Sequence, residues 1–203
     1  VTKSEGGALG LVMEAKAEAG NIRQTLWMTS GTAKGCKNYY EKDGVKNYLP
    51  GFNLANSLSL LTVGKEISEL EPETKVVSVY SPEAKAEVPT KVDVLVDLLN
   101  QEVLVGLIKQ TVDKTVKNDA GAYVPTGETR EENEVDKFFR ARDRMTTAEI
   151  RGQAAEASFV DLWSDKWTDK VRNKATGGSG ASGTAGAPKA AAAAKKPTTS
   201  LFA

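Results

Sequence analysis

Short runs of alternating apolar and polar residues, each ended by a turn signal, constrain the fold of this chain most strongly. The first two runs occupy 9–16 and 22–29 and are joined across Gly20 and Asn21. A period of two places one face of a strand against the core and the other face in solvent. These runs therefore predict an antiparallel pair of strands with one buried face.

A tight hairpin is predicted around Asp43 and Gly44. These two residues separate aromatic-rich runs at 37–41 and 45–49. Glycine accepts the positive φ that a short hairpin turn requires, so the pair is a strong hairpin signal.

One short helix is expected after this hairpin. Phe52, Ala55 and Leu58 recur at helical spacing after Pro50, and Gly64 is placed to end the helix. The helix would separate the hairpin from the strands of the second half of the chain.

Longer strands are predicted in that second half, at 74–82, 86–95, 102–116 and 132–143. The third of these is rich in β-branched residues, which favours a long and nearly central strand. The last is interpreted as the final strand of the fold. Residues 92–100 fit either a brief helix or a continuation of the preceding strand, and residues 118–129 are predicted to form a loop or wide turn.

The C-terminal part predicts one helix. Thr146 and Thr147, followed by Glu149, resemble a helix start. An apolar stripe follows at helical spacing and comprises Phe159, Leu162, Trp163 and Trp167. Since apolar stripes on helices are usually buried, this helix is expected to pack on the strands, with both tryptophans in the core.

Residues 176–203 are rich in Gly, Ala, Ser and Lys and offer little apolar surface to offset the entropy of ordering. We therefore expect one domain at 1–175 and a flexible tail at 176–203. The chain begins at Val1 inside a predicted turn, which fits an additional strand upstream of the sequence.

The predicted fold class is mainly β. Many short strands, an inserted helix and no strand–helix–strand alternation favour an antiparallel OB-like β-barrel with a C-terminal helix and a disordered tail. No run approaches the ~18 apolar residues that a membrane span requires, and the first ten residues lack the features of a signal peptide. An intracellular protein with no membrane partner is expected.

Several enzyme classes are excluded by composition. The chain has no histidine, and its single Cys36 cannot form an internal disulfide, which fits a reducing compartment. The glycine-rich run 29–37 differs from a P-loop because only three residues separate Gly31 from Gly35 and Cys36 takes the place of the lysine. Carboxylates gather in runs that are typical of solvated faces. We predict a protein that is not an enzyme and needs no metal or cofactor.

Basic and aromatic residues gather between Arg23 and Tyr48, although the whole chain has 27 basic and 27 acidic residues. Cations neutralise phosphates, and flat rings stack on bases without reading their sequence. This mixture predicts binding of single-stranded DNA. The candidate residues are Arg23, Trp27, Lys34, Lys37, Tyr39, Tyr40, Lys46 and Tyr48, with Phe139 and Arg140 on the last predicted strand as further candidates.

The strand period assigns faces to these rings. If Leu26 and Met28 face the core, Trp27 and Arg23 point outward together. The alternative is that Trp27 packs on the C-terminal helix and that the tyrosines only stabilise their hairpin by cross-strand pairing. Of the adjacent Phe138 and Phe139, one is expected to face inward and the other outward.

Long segments of the sequence also resemble a known family. The segments lie at 3–9, 26–70, 83–103 and 125–141 and cover nearly all of the chain that is expected to be ordered. They are similar to the single-stranded-DNA-binding replication proteins of tailed bacteriophages. The resemblance implies an OB-fold protein that coats single strands during phage DNA replication and recombination in the cytoplasm of the host cell. It supplies no catalytic motif and no residue-level binding signature.

The tail departs from the acidic tails of many single-strand-binding proteins. Its charged residues are Lys189, Lys195 and Lys196. Such a tail would hold DNA loosely, or Leu201 and Phe202 would dock a phage or host replication protein. A homo-oligomer is compatible with the sequence. Two other classes stay open, a protein-interaction or virion-assembly module and, less favoured, a metal-dependent nuclease.

Overall fold

A computed structural model describes residues 1–81, 83–119 and 121–176, and these residues form a mainly β protein. The chain divides into two compact units. The first comprises Val1–Thr111 and Glu131–Asn173, and the second, within the described residues, comprises Val112–Arg130 and 174–176.

The first sheet contains β1 (Thr2–Lys3), β2 (Leu9–Ala17) and β3 (Gly20–Trp27) in that order. Both neighbouring pairs are antiparallel, and Gly10 lies opposite Trp27 in the β2–β3 register. The predicted pair of strands is thus confirmed, although its turn lies at 18–19 rather than at Gly20 and Asn21. The turn expected at the start of the chain was wrong for Thr2 and Lys3, which belong to β1.

The predicted hairpin is confirmed as β4 (Tyr39–Lys42) and β5 (Val45–Tyr48). Asp43 and Gly44 form its two-residue turn with φ of 54° and 74°. Positive φ at both central positions characterises the turns whose twist matches that of a β-ribbon.

The short helix is confirmed as α1 (Pro50–Thr62), which begins with proline in its first turn and buries Ala55, Leu58 and Leu61. Proline suits the start of a helix because its missing N–H would have no partner there. Gly64 follows the helix with φ of 73°, as expected of a helix-ending glycine.

A separate two-stranded sheet pairs β6 (Glu73–Ser81) with β7 (Ala86–Val94). The register places Val77, Val79, Val88 and Val92 on one face. Residues 92–100, for which two structures were open, continue β7 to Val94 and then form a 3-10 turn at Val96–Leu98.

The longest strands are β8 (Val103–Lys117) and β9 (Tyr123–Arg140). They form a sheet with β10 (Val171–Asn173) in the order β10-β8-β9, so β8 is central as predicted. β10 is parallel to β8. The loop predicted at 118–129 was wrong beyond 122, because residues from Tyr123 onward belong to β9, and β10 rather than β9 is the last strand.

The single C-terminal helix was also wrong, because α2 (Thr147–Arg151) and α3 (Phe159–Trp167) replace it. The predicted start is confirmed, since Thr146 caps α2 in a capping box with Glu149. Gly152 ends α2, and Gln153 has φ of 52°, which a continuing helix cannot contain.

Both sheet and helix residues build the main core of the first unit. Its buried members are Leu11, Met13, Leu26, Ala55, Leu58, Leu61, Ile67, Leu70, Leu95, Val135 and Phe138. Ile108, Phe139 and Val160 are buried outside this core. Between the described strands, hydrogen bonding yields four separate sheets, none of which closes into a barrel.

In the second unit, the side chain of Lys114 donates to Glu128 at 2.9 Å, and Thr176 donates to Asp113 through both its amide and its hydroxyl. The tail predicted at 176–203, with Leu201 and Phe202, lies outside the described residues except for Thr176. None of the helices in the described ranges has the length and apolar character needed to cross a membrane.

Candidate nucleic-acid interface

Trp27 lies at the end of β3 with its side chain on the outer face of the first sheet. It is 43% exposed, whereas the preceding Leu26 is only 1% exposed. The period of two also places Arg23 and Thr25 on the outer face with Trp27. The predicted orientation of Trp27 and Arg23 is therefore confirmed.

Two glycines allow neighbouring elements to approach Trp27 closely. A Cβ atom on Gly10, opposite Trp27 in β2, would lie 2.9 Å from Cε3 of the indole ring. A Cβ atom on Gly51 would lie 2.2 Å from the carbonyl oxygen of Trp27. The indole ring therefore packs against the backbone of β2 at Gly10, and α1 packs against the backbone of Trp27 at Gly51. Together these contacts hold the indole in place without burying it.

The β4–β5 hairpin distributes its candidate residues over two faces. Tyr39 lies opposite Tyr48 in the register, and Lys46 lies two residues before Tyr48, so these three share a face. Tyr40 belongs to the other face and is exposed. The structure thus groups Tyr39, Lys46 and Tyr48 and separates Tyr40 from them.

Two ammonium groups lie near the Tyr39 ring. The Nζ atoms of Lys37 and Lys46 are 5.5 Å and 4.9 Å from its centroid, within the range of cation–π attraction. Tyr48 stacks on Phe52 of α1 with ring centroids 5.2 Å apart. The sequence interpretation missed Phe52 as part of this cluster, because Tyr48 ends a strand and Phe52 lies in the following helix, so no single period relates them.

The loop between β3 and β4 carries Lys34 and Lys37. Its ends are joined because the Ser30 amide donates to the Lys37 carbonyl at 2.8 Å and the Lys37 amide donates to Oγ of Ser30 at 3.0 Å. Lys34 lies in a 3-10 turn at Thr32–Lys34 and is exposed. These hydrogen bonds therefore close the loop and hold the backbone that carries both lysines.

The basic residues of this region have no carboxylate partner within the part of the chain that the structure describes. None of them forms an ion pair with a residue in the described part of the chain: Arg23, Lys34, Lys37, Lys42 and Lys46. All five are exposed. A phosphate could bind them without first breaking an ion pair.

Two candidates on β9 must be withdrawn. Phe139 is 1% exposed and makes an edge-on contact with Trp163 at a centroid distance of 5.8 Å, so its ring cannot stack on a base. Arg140 donates to both carboxylate oxygens of Asp143 through Nε and Nη2, and this pairing lowers the pKa of the Asp143 carboxyl. Arg140 therefore stabilises the turn after β9, and its guanidinium is not available to bind phosphate.

The expectation for Phe138 and Phe139 was wrong as well, because both rings are buried. Phe138 belongs to the main core, whereas Phe139 contacts Phe159 and Trp163 of α3. β9 is covered on both faces at this point.

The apolar stripe of α3 is only partly buried. Trp163 and Trp167 are half-buried rather than core residues, and Leu162 is 65% exposed. The described residues hold no group of three His, Cys, Asp or Glu side chains that could bind a metal ion.

Searches of protein-family models, curated proteins and solved structures returned no match for this chain.

Proposed function

We propose that this protein binds single-stranded DNA without catalysis and largely without regard to sequence. The observation that carries the proposal is the half-exposed Trp27, held on an outer sheet face and followed in the chain by a hairpin in which the Tyr39 ring lies near the ammonium groups of Lys37 and Lys46. Bases would stack on Trp27, and Lys34, Lys37 and Lys46 would neutralise phosphates. Backbone and stacking contacts of this kind do not read base edges.

The role that fits this binding is to coat and protect single strands during phage DNA replication and recombination in the host cytoplasm. The resemblance of the sequence to phage single-strand-binding proteins supports this part of the proposal. It also supports a tail in which Leu201 and Phe202 contact a phage or host replication protein, and it is compatible with a homo-oligomer.

An OB-like arrangement is proposed for the first unit. The main core draws on β2, β3, α1 and β9, so the first sheet and β9 enclose one apolar interior. The amide of Val135 in β9 donates to Oε1 of Gln24 in β3 at 2.9 Å, which joins these strands through a side chain. Such a link would replace part of the backbone pairing of a closed barrel.

Fluorescence anisotropy with labelled oligonucleotides tests the binding. We expect tight binding of a single strand and far weaker binding of a duplex of equal length. Replacing Lys34, Lys37 and Lys46 together by glutamine should weaken single-strand binding at least about tenfold, since three phosphate contacts would be lost. The matched control replaces Lys65, Lys85 and Lys91, which lie elsewhere. Equal binding of duplex and single strand, or equal loss in both triple variants, would overturn the proposal.

A protein-interaction or virion-assembly module is the second candidate. The exposed apolar side chains of β6 favour it, because Val76 and Tyr80 are largely open to solvent. Protein partners recognise such surfaces, whereas phosphates do not. A protein that fails to bind single strands in the anisotropy measurement would leave this role as the better one.

A further inference from the structure

A second region that combines aromatic rings with cations lies between α3, β9 and β10. It is an open groove of about 460 Å³, and its walls include Phe159, Leu162, Trp163, Trp167, Lys137 and Lys166. The volume lies within the range of about 300–1,000 Å³ that small-ligand sites occupy. The groove involves none of the residues around Trp27.

The walls of the groove are fixed by hydrogen bonds beneath them. Nε1 of Trp163 donates to Oδ2 of Asp136 at 2.8 Å, and Nη1 of Arg172 pairs with Oδ1 of the same carboxylate at 3.3 Å. Nη2 of Arg172 also donates to Oε1 of the buried Gln110 at 2.7 Å. Both carboxylate oxygens of Asp136 are therefore engaged, and its charge is offset by Arg172.

The remaining charge of the groove is positive. Lys137 and Lys166 form no ion pair with any residue in 1–81, 83–119 or 121–176. Nζ of Lys166 lies 5.1 Å from the ring centroid of Trp167, and the guanidinium carbon of Arg172 lies 5.9 Å from it. Exposed apolar surface from Leu162 and Phe159 adjoins these cations.

A ligand that matches these walls is flat, partly apolar and anionic. A nucleotide has this chemistry, because its base contacts rings and alkyl groups while its phosphate pairs with ammonium groups. An uncharged apolar ligand would leave Lys137 and Lys166 without a counter-charge, and a free phosphate would leave the rings unused.

We propose that this groove is a second contact site for the same single strand, in which a base lies against Trp167 and Leu162 and its phosphate pairs with Lys137 and Lys166. The proposal rests on the proposed function, because it adds a second site to a strand already held near Trp27. A strand that is long enough would then engage both sites.

The three tryptophans allow the two sites to be observed separately. Trp27→Phe leaves only Trp163 and Trp167 as fluorescent reporters, both in the groove. This variant is titrated with labelled oligothymidylate of about 30 nucleotides, which exceeds the ~4–16 nucleotides that one OB fold covers. Anisotropy of the label gives the bound fraction independently of the tryptophan emission. We expect the emission to be quenched in proportion to that fraction.

The same titration on a Trp27→Phe, Lys137→Gln, Lys166→Gln variant should lose most of the quenching and weaken binding about three- to tenfold, since two phosphate contacts are removed. Trp27→Phe combined with Lys85→Gln and Lys91→Gln is the charge-matched control and should keep the quenching.

Bound oligonucleotide with unchanged tryptophan emission would overturn the groove while leaving the proposed function intact. An emission maximum that shifts with protein concentration in the absence of DNA would also overturn it. Such a shift would assign the groove to a contact between copies of the chain. Wild-type protein that binds no single strand would reject the proposed function and this inference together.

Discussion

Trp27 remains exposed in a fixed position because its neighbour across the strand pair is Gly10. Any larger residue at position 10 would compete with the indole for the same space, since even a Cβ atom would meet the ring at 2.9 Å. The indole thus packs against Gly10 while 43% of the residue stays exposed. This arrangement is suited to stacking because the ring need not be reorganised before a base arrives.

Trp27→Ala should reduce affinity for single strands by about ten- to a hundredfold, because stacking contributes about 1–3 kcal/mol per base. The fold should tolerate the change. Removal of a fully buried aromatic ring costs about 3–5 kcal/mol of stability, and we expect a much smaller loss here. Anisotropy titrations and thermal melts on the same preparation measure both quantities. A variant that melts like the wild type and binds as tightly would reject Trp27 as a stacking residue.

Residue orientation was predictable where a strand has one covered face. The period of two assigned Leu26 inward and Trp27 outward, and both assignments hold. The same reasoning failed for Phe138 and Phe139, because α3 covers the face of β9 that the main core leaves free. Whether a second element covers the other face of a strand cannot be read from the alternation of apolar and polar residues within that strand.

Glu149 connects the two C-terminal helices. Its carboxylate accepts from the amide and hydroxyl of Thr146 at the start of α2, and from the amides of Ser158 and Phe159 at the start of α3. Burial acts to raise the pKa of Glu149, but the hydrogen bonds from Thr146, Phe159 and Ser158 outweigh it and lower the pKa to about 2. One side chain thus serves two helix starts.

Glu149→Gln should destabilise the protein by about 1–2 kcal/mol at neutral pH, as expected for weakened capping at a helix start. Because the folded-state pKa of Glu149 lies below that of the unfolded chain, its ionised form stabilises the fold above about pH 4.5, and this contribution is lost as pH falls toward 2. Urea denaturation at pH 7, 5, 4 and 3 measures the effect.

The stability difference between wild type and Glu149→Gln should therefore shrink steadily below about pH 4.5. Glu156→Gln removes an exposed carboxylate close by in the chain and is the matched control. A constant difference across the series would show that the charge of Glu149 does not support the two helix starts.

The helices also show which elements the sequence could reveal. The capping box at Thr146 is a local pattern and was predicted, as were α1 and the Asp43–Gly44 turn. The break between α2 and α3 was not predicted, because Ser158 and Phe159 are held by a carboxylate nine and ten residues away in the chain. The strand that begins at Tyr123 was missed because the one proline and two glycines of 118–129 outweighed its β-branched residues.

The protein carries no net charge, so any attraction to a polyanion must come from the distribution of its charges. If three to five of the basic residues Arg23, Lys34, Lys37, Lys42 and Lys46 contact phosphates, the slope of log affinity against log salt should be about −2 to −3.5 for a single strand. Anisotropy titrations over a salt series give this slope. Affinity that is constant from low to moderate salt would contradict phosphate binding by these residues.

The arrangement of the sheets could not be derived from the sequence. Strand positions follow from periodicity and turn residues, but the pairing of β10 with β8 joins residues about sixty positions apart, for example Arg172 and Gln110. The Trp27 face was predictable from one strand, whereas the α3 groove depends on that distant pairing and was missed.

The β6–β7 sheet has only two strands, and none of its valines belongs to the main core of the described chain. Isolated hairpins are marginally stable in water, so this one should open locally at a much lower free energy than global unfolding. Its amide hydrogens, such as those of Val79 and Val88, should exchange with deuterium well before that of Leu26, which two-dimensional NMR can follow. A protease that cuts in its turn, between Ser81 and Ala86, should thus leave the rest of the first unit folded, with Trp27 still in place.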